Sequence, residues 1–192
     1  MSRWEPGGRG RLEQAALALY AERGFDNTTV AEIAERAGVT ERTFFRHFAD
    51  KREVLFGGAG GLQDLLVGTV ASAPASLAPL DAVAAGLEAA GALFEEYRAT
   101  VRQRAAIIAA TPELRERELI KLAVLSAALA DTLRGRGLSG PAASLTAEVA
   151  TAVFRIAFDQ WIEETNERAF AALVRESLDH LKAVTAGGVM RS

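Results

Sequence analysis

Apolar side chains recur at helical spacing along almost the whole chain, and no stretch alternates apolar and polar residues as a half-buried strand would. Leu12, Ala16, Leu19 and Tyr20 follow the i, i+4, i+7, i+8 pattern of one buried helix face. Such stripes can be buried only by packing helix on helix, so the expected fold class is all-α.

Punctuation residues divide this pattern into elements. Gly24 followed by Phe25 reads as a helix stop, which places the first helix at about 9–23. Thr29-Val30-Ala31-Glu32 has the spacing of a capping box, in which the threonine and glutamate each satisfy one orphan amide of the first turn. Val30, Ile33, Ala34 and Ala37 then give a short apolar face. Gly38 supplies a turn, Thr40 can cap a third helix, and Thr43-Phe44-Phe45-Arg46-His47-Phe48 carries it to Ala49-Asp50.

A fourth helix is expected from Lys51, capped by Asp50. Gly57, Gly58, Gly60 and Gly61 should weaken or interrupt it near its second turn, because each glycine costs a helix interior ~1 kcal/mol relative to alanine. Two roles stand open for them, a hinge or close packing against a neighbour. Pro74 and Pro79 mark a loop, Thr111-Pro112 a helix start, and Gly135 to Pro141 a further break. Final helices at about 142–164 and 168–184 bring the expected total to nine.

Three short helices in the first 48 residues, with Gly38-Val39-Thr40 between the second and third, form the pattern of a helix-turn-helix. On the third helix Phe44 and Phe48 share the inward side, while Arg42 with Arg46, and Thr43 with His47, are i, i+4 pairs on the other. Arginines on such a face can read guanine edges in a major groove, and a threonine methyl can meet thymine. The same spacing also suits an ordinary solvated face, and periodicity alone leaves both readings open. Net charge, at -3, does not decide between them, although Arg42, Arg46, Lys51 and Arg52 outnumber Glu41 and Asp50 locally.

Other chemistry is limited by what the chain contains. With no cysteine there is no disulfide, thiolate nucleophile or thiolate metal ligand, and the two histidines, His47 and His180, lie far apart in sequence. Glu95-Glu96 and Glu163-Glu164 are adjacent, so their carboxylates point in different directions, and no glycine-rich phosphate loop accompanies them. The chain is therefore not expected to be an enzyme or to hold a cofactor or metal. No unbroken apolar run approaches the ~20 residues of a membrane span, and residues 1–10 lack a signal stretch, so a cytoplasmic protein is expected.

Residues 9–56 resemble the DNA-binding domain of the tetracycline-repressor (TetR) family. The resemblance is carried by Ala21-Glu22-Arg23-Gly24-Phe25, Thr28 to Ala34, Ala37-Gly38-Val39, Thr43 to Phe48 and Lys51. It implies a domain at 1–56 that binds double-stranded DNA through its helix-turn-helix, followed at 57–192 by a ligand-binding and dimerisation domain. Thr29 would cap helix two against a phosphate, and Arg42, Thr43 and Arg46 would lie nearest base edges. Phe45, His47 and Lys51 would border the backbone, and Thr40 belongs to the same set as cap of the recognition helix. Tyrosine is common in this family at the position of Phe45, so a hydroxyl contact to phosphate is missing here; small residues or proline are frequent at that of Arg42, which suggests a distinct operator.

The family implies a homodimeric repressor, because two recognition helices about one DNA turn apart read a palindrome. It places the dimer contact in helices eight and nine, where Phe170, Leu173, Val174, Leu178 and Leu181 make a suitable seam. On helix eight Leu145, Val149, Val153, Ile156 and Gln160 follow one face and Phe154, Phe158 and Trp161 a second, read as a subunit boundary and a cavity lining respectively, with plain core packing the alternative for the aromatics.

Residues Arg98 to Ile108 and Thr111 to Glu118 are also similar to a branch that binds acyl-coenzyme A-like ligands and includes mycofactocin-associated regulators. That resemblance implies a small-molecule effector held among Phe94, Tyr97, Arg98, Val101, Arg102, Ile108, Leu122, Leu125, Phe154, Phe158 and Trp161. For the arginines, Arg104 included, the alternative is a solvated pair with Glu95 or Glu96. A rival of another class is an all-helical enzyme or carrier acting on acyl thioesters, with the basic third helix holding a cofactor phosphate.

Overall fold

The computed structural model describes residues 7–187; the first six residues of the segment read as lacking a leader fall outside that range. Among the described residues are nine α-helices and no strand. They are α1 (Gly8–Arg23), α2 (Val30–Arg36), α3 (Glu41–His47), α4 (Ala59–Ser72), α5 (Pro79–Glu96), α6 (Arg98–Ala110), α7 (Pro112–Gly135), α8 (Gly140–Ile162) and α9 (Phe170–Thr185). A short 3-10 turn, Glu53–Phe56, precedes α4.

The helices form two compact units. One contains the chain up to Gly60 together with Arg102–Leu119; the other contains Gly61–Val101 and the chain from Ile120 onward. The boundary is thus crossed three times rather than once.

In the first unit, α1, α2 and α3 close around Leu12, Leu19, Tyr20, Ile33, Phe44 and Phe48. Local chemistry sets their ends. The Thr29 hydroxyl accepts the Glu32 amide at 3.2 Å while a Glu32 carboxylate oxygen accepts the Thr29 amide at 2.8 Å, so the capping box is complete. Thr40 caps α3 by accepting the Thr43 amide. Gly38, at φ 66°, takes the left-handed turn between α2 and α3 that a side chain would resist. Ile108 of α6 and Leu114 of α7, both buried, complete this core. Arg104 donates to the Leu55 carbonyl and lies 5.1 Å from the Phe56 ring, and Arg117 pairs with Glu53.

The second unit packs α5, α8 and α9 against one another, with the inner faces of α4 and α7. Ala143, Ala147, Ala150 and Ala157 keep one side of α8 small enough for close approach. Gly91 of α5 serves the same purpose, since a Cβ there would stand 3.1 Å from the Phe170 ring. Arg175 of α9 reaches Glu88 of α5 with two hydrogen bonds.

The helix expected from Lys51 is interrupted as its glycines suggest. Asp50 accepts the amides of Arg52 and Glu53, the 3-10 turn ends at Phe56, and α4 starts only after Gly57 and Gly58. Residues Glu53–Ser72 together are long and apolar enough to cross a membrane by composition. The break leaves α4 with 14 residues, about 21 Å of helix against a ~30 Å hydrocarbon layer, and Leu66 and Val70 are buried in the protein.

The seam expected on α9 is corrected by the structure. Phe170, Leu173, Val174 and Leu178 are buried within the chain's own second core, which leaves only Leu181 half-buried among the five. The apolar side chains that these helices leave in solvent are instead Leu145 and Ile156 of α8 and Val184 of α9.

Candidate nucleic-acid interface

The outward side of α3 is built by the burial of its other side. Phe44 is fully buried and Phe48, the residue that ends the helix, is 4% exposed, so Arg42 and Arg46 point directly away from the core. Thr43 and Phe45 flank them on opposite sides. These four residues line one shallow concavity.

Its electrostatics follow from which arginines are already occupied. Arg9 pairs with Glu13, Arg23 with Glu32, Arg36 with Glu22 and Arg52 with Asp50, while Arg11 donates to the Ala37 carbonyl. Arg42 and Arg46 have neither an ion pair nor a hydrogen bond to another side chain among the described residues. Two carboxylates of the first unit, Glu22 and Glu32, are drawn into other work. The Glu32 carboxyl is held below its usual range by hydrogen bonds from the Thr29 backbone and hydroxyl, and that of Glu22 by Arg36. What remains on this face is two exposed guanidiniums, a half-buried threonine and an exposed phenyl ring.

The other residues expected near DNA have structural partners. Thr29 and Thr40 are exposed caps whose hydroxyl oxygens accept helix amides. His47 is half-buried beside Phe48. The Lys51 ammonium donates to the carbonyls of Phe25 (2.9 Å) and Thr28 (3.0 Å) and sits over the Phe25 ring. Its position in the sequence suggested a backbone phosphate; its geometry is that of a brace.

The residues expected to line an effector site divide. Phe94, Phe154, Phe158 and Trp161 meet in one aromatic cluster with ring centroids 5.6 to 6.1 Å apart, with Phe154 and Phe158 stacked. Phe170 joins it edge-on to Phe94 at 5.1 Å. Val101, Leu122 and Leu125 belong to the same core. Ile108 does not, since it is part of the first unit's core, and Tyr97 is 54% exposed. Arg102 is half-buried near the start of the segment that belongs to the first unit. Arg98 is engaged by Glu95 at 2.6 Å, by the carbonyls of Asn166 and Arg168, and by the face of Trp161, so the pair with Glu95 forms, but partly buried rather than solvated.

Glu95 entered the sequence reading only as an arginine partner, and its contacts to Trp161 and Phe170 were missed. One of its oxygens accepts both the Trp161 indole N–H at 2.8 Å and the Phe170 amide at 3.0 Å, and the other accepts Arg98. Burial raises its pKa, but hydrogen bonds from Arg98, Phe170 and Trp161 outweigh it and leave the carboxyl below its usual range. The available signal was the i, i+3 spacing to Arg98.

Two family models match the chain. Residues 13–56 match the tetR family of bacterial regulatory proteins, and residues 77–186 match the MftR C-terminal domain. The transcriptional regulator TcmR of Streptomyces glaucescens is 37% identical over 81 residues, 42% of this chain and 36% of TcmR. MftR of Mycobacterium tuberculosis, whose name assigns it to the regulation of mycofactocin biosynthesis, is 31% identical over 103 residues, 54% of this chain and 52% of MftR. The matched stretches thus span between about a third and a half of these relatives. The solved SmeT–triclosan complex shares the fold, with a TM-score of 0.66 at 20% identity over 93% of this chain and 91% of SmeT. With more than half of its length matched by the MftR C-terminal domain and its first helices by the family's DNA-binding region, the chain belongs to the tetR family of bacterial regulatory proteins.

Proposed function

We propose that this chain is a homodimeric, ligand-responsive repressor that binds a palindromic operator through α3. The observation that carries the reading is the contrast among the arginines of the first unit: those around α3 are paired, while Arg42 and Arg46 on its outward face are not, among the described residues. Exposed, unpaired guanidiniums can form bidentate contacts to guanine O6 and N7 without first breaking an ion pair. Thr43 stands beside them for base or methyl contacts, and Thr40 and His47 at the ends of α3, with Thr29 at the start of α2, would take phosphates.

Two copies are needed to read a palindrome. Leu145 and Ile156 on α8 with Val184 on α9 supply exposed apolar surface for a helical contact between subunits, with the half-buried Val149, Ala152 and Leu181 between them. The effector is a small hydrophobic or acyl-coenzyme A-like molecule taken into the second core among Phe94, Val101, Leu122, Leu125, Phe154, Phe158 and Trp161. An effector can change operator affinity only through different affinities for the two arrangements.

The test is selection of duplex DNA from a random pool by the full-length protein, followed by affinity measurements across salt concentrations. Enrichment of a palindrome, with a steep loss of affinity as salt rises, supports the reading. Turnover of an acyl thioester with no retained DNA would replace it with the enzyme alternative.

A further inference from the structure

Among the described residues of α1, α2 and α3, Phe45 is the one large apolar side chain left mostly in solvent, at 56% exposed. The fold does not need it there, since Phe44 and Phe48 already anchor α3. Its ring leans edge-on against Phe44, with centroids 5.4 Å apart, which fixes its direction and leaves the outer face bare. It lies three residues after Arg42 and directly before Arg46, and it lines the same concavity as both and Thr43. The ring therefore stands at the level of the groups that face base edges.

A phenyl ring has no donor or acceptor, so it offers a phosphate nothing and gains nothing from one. The apolar feature of a major groove at base level is the C5-methyl group of thymine. We propose that Phe45 is a specificity-determining residue that reads a thymine methyl group adjacent to the bases contacted by Arg42 or Arg46. The proposal rests on the reading of α3 as the groove element and adds what that element selects.

The experiment uses the full-length protein and the duplex it enriches from a random pool, with each thymine replaced in turn by deoxyuridine, which removes only the methyl. At one thymine per half-site the replacement should weaken the wild-type protein about fourfold, the effect of exposing one buried carbon. Phe45→Ala, at an exposed site and checked for helicity, should bind the thymine duplex more weakly than wild type and be indifferent to the same replacement. A wild-type protein insensitive to every replacement overturns the assignment in favour of a sugar contact, as does an enriched site without thymine. A deoxyuridine penalty that persists unchanged in Phe45→Ala overturns it in favour of another reader such as Thr43. Each of these leaves DNA binding standing, whereas failure to enrich any duplex would overturn that reading and this one with it.

Discussion

The Lys51 ammonium lies 4.2 Å from the centre of the Phe25 ring and donates to the carbonyl of that same residue. A second donation reaches the Thr28 carbonyl, and the Tyr20 hydroxyl donates back to the Lys51 carbonyl at 2.6 Å. Burial, then the charge of Asp50, pushes the Tyr20 phenol above its ordinary range and keeps it a donor. Lys51 thus ties the turn after α1 to the segment after α3. Lys51→Ala should lower unfolding free energy by about 1–2 kcal/mol, the value of two charge-assisted hydrogen bonds in a half-exposed setting. The salt slope of DNA binding should stay the same. A slope smaller by about one unit, at unchanged stability, would make Lys51 a phosphate contact instead.

Arg46→Ala tests the proposed base-reading face. It should weaken binding to the selected duplex by about 1–3 kcal/mol more than binding to random DNA, because a bidentate contact discriminates between bases. Arg46 has no ion pair among the described residues, so thermal stability should barely change. Equal losses on both DNAs would reduce Arg46 to a phosphate contact.

The proposed dimer seam separates two substitutions that look alike in sequence. Ile156 is 47% exposed and Leu173 is 2% exposed, each on a helix assigned to the subunit contact. Ile156→Asp should give a folded monomer at micromolar concentration, since an unpaired charge in an apolar seam costs several kcal/mol. Leu173→Asp should lose helicity and cooperative unfolding. Sedimentation velocity with circular dichroism distinguishes the cases. A dimer that survives Ile156→Asp would remove this face of α8 from the contact.

Parts of this structure were legible in the sequence. The Thr29–Glu32 box, the Gly38 turn and the break at Gly57 and Gly58 are decided within a few residues, and each could be read directly. The stripe Phe170, Leu173, Val174, Leu178 could not be assigned, because an amphipathic helix has the same pattern whether its apolar side packs within the chain or across a dimer. The return of Arg102–Leu119 to the first unit was hidden for a related reason: Ile108 continues a stripe with Val101 and Ala105, and nothing local marks that the two ends of α6 enter different cores. Of the proposed site residues, the shared outward face of Arg42 and Arg46 was legible from spacing, while a role for it came only from the family resemblance. The committed ammonium of Lys51 was not, since its carbonyl partners lie more than twenty residues away.

Glu95 predicts an acid-side effect. Its folded pKa lies below the ordinary 4.5, so the stabilisation it contributes is complete above that value and is lost as pH falls through the lower folded value. Glu22, Glu32, Asp50 and Glu88 shift in the same direction, and their losses add. Glu95→Gln should cost about 1–3 kcal/mol at neutral pH, because an amide oxygen replaces a charged acceptor of the Trp161 and Phe170 N–H groups. Urea titrations should show wild type and variant converging as pH drops below about 4. A constant gap across the acid range would mean that the carboxylate charge is unimportant there.

The glycines before and within α4 provide the last test. Close packing does not explain Gly58, Gly60 or Gly61, since a Cβ at any of them would meet nothing within 4 Å. Backbone geometry does not require them either, because none has a positive φ. Alanine at 58 and 60 should therefore be accommodated and should stabilise the protein by about 0.4–1 kcal/mol per site, mainly by restricting the unfolded chain. What glycine supplies at these positions is a soft start to the helix that leads from the first unit into the second. If that softness lets the DNA-binding helices sample a range of separations, from which operator and effector each select, the double variant Gly58→Ala, Gly60→Ala should keep its effector affinity in the absence of DNA. Its coupling free energy, set by the logarithm of the ratio of operator affinities with and without effector, should differ from that of wild type. Fluorescence anisotropy of a labelled operator duplex at several effector concentrations measures that ratio. A double variant that is more stable but couples as wild type does would show that the glycines lower the stability of α4 without serving as a hinge.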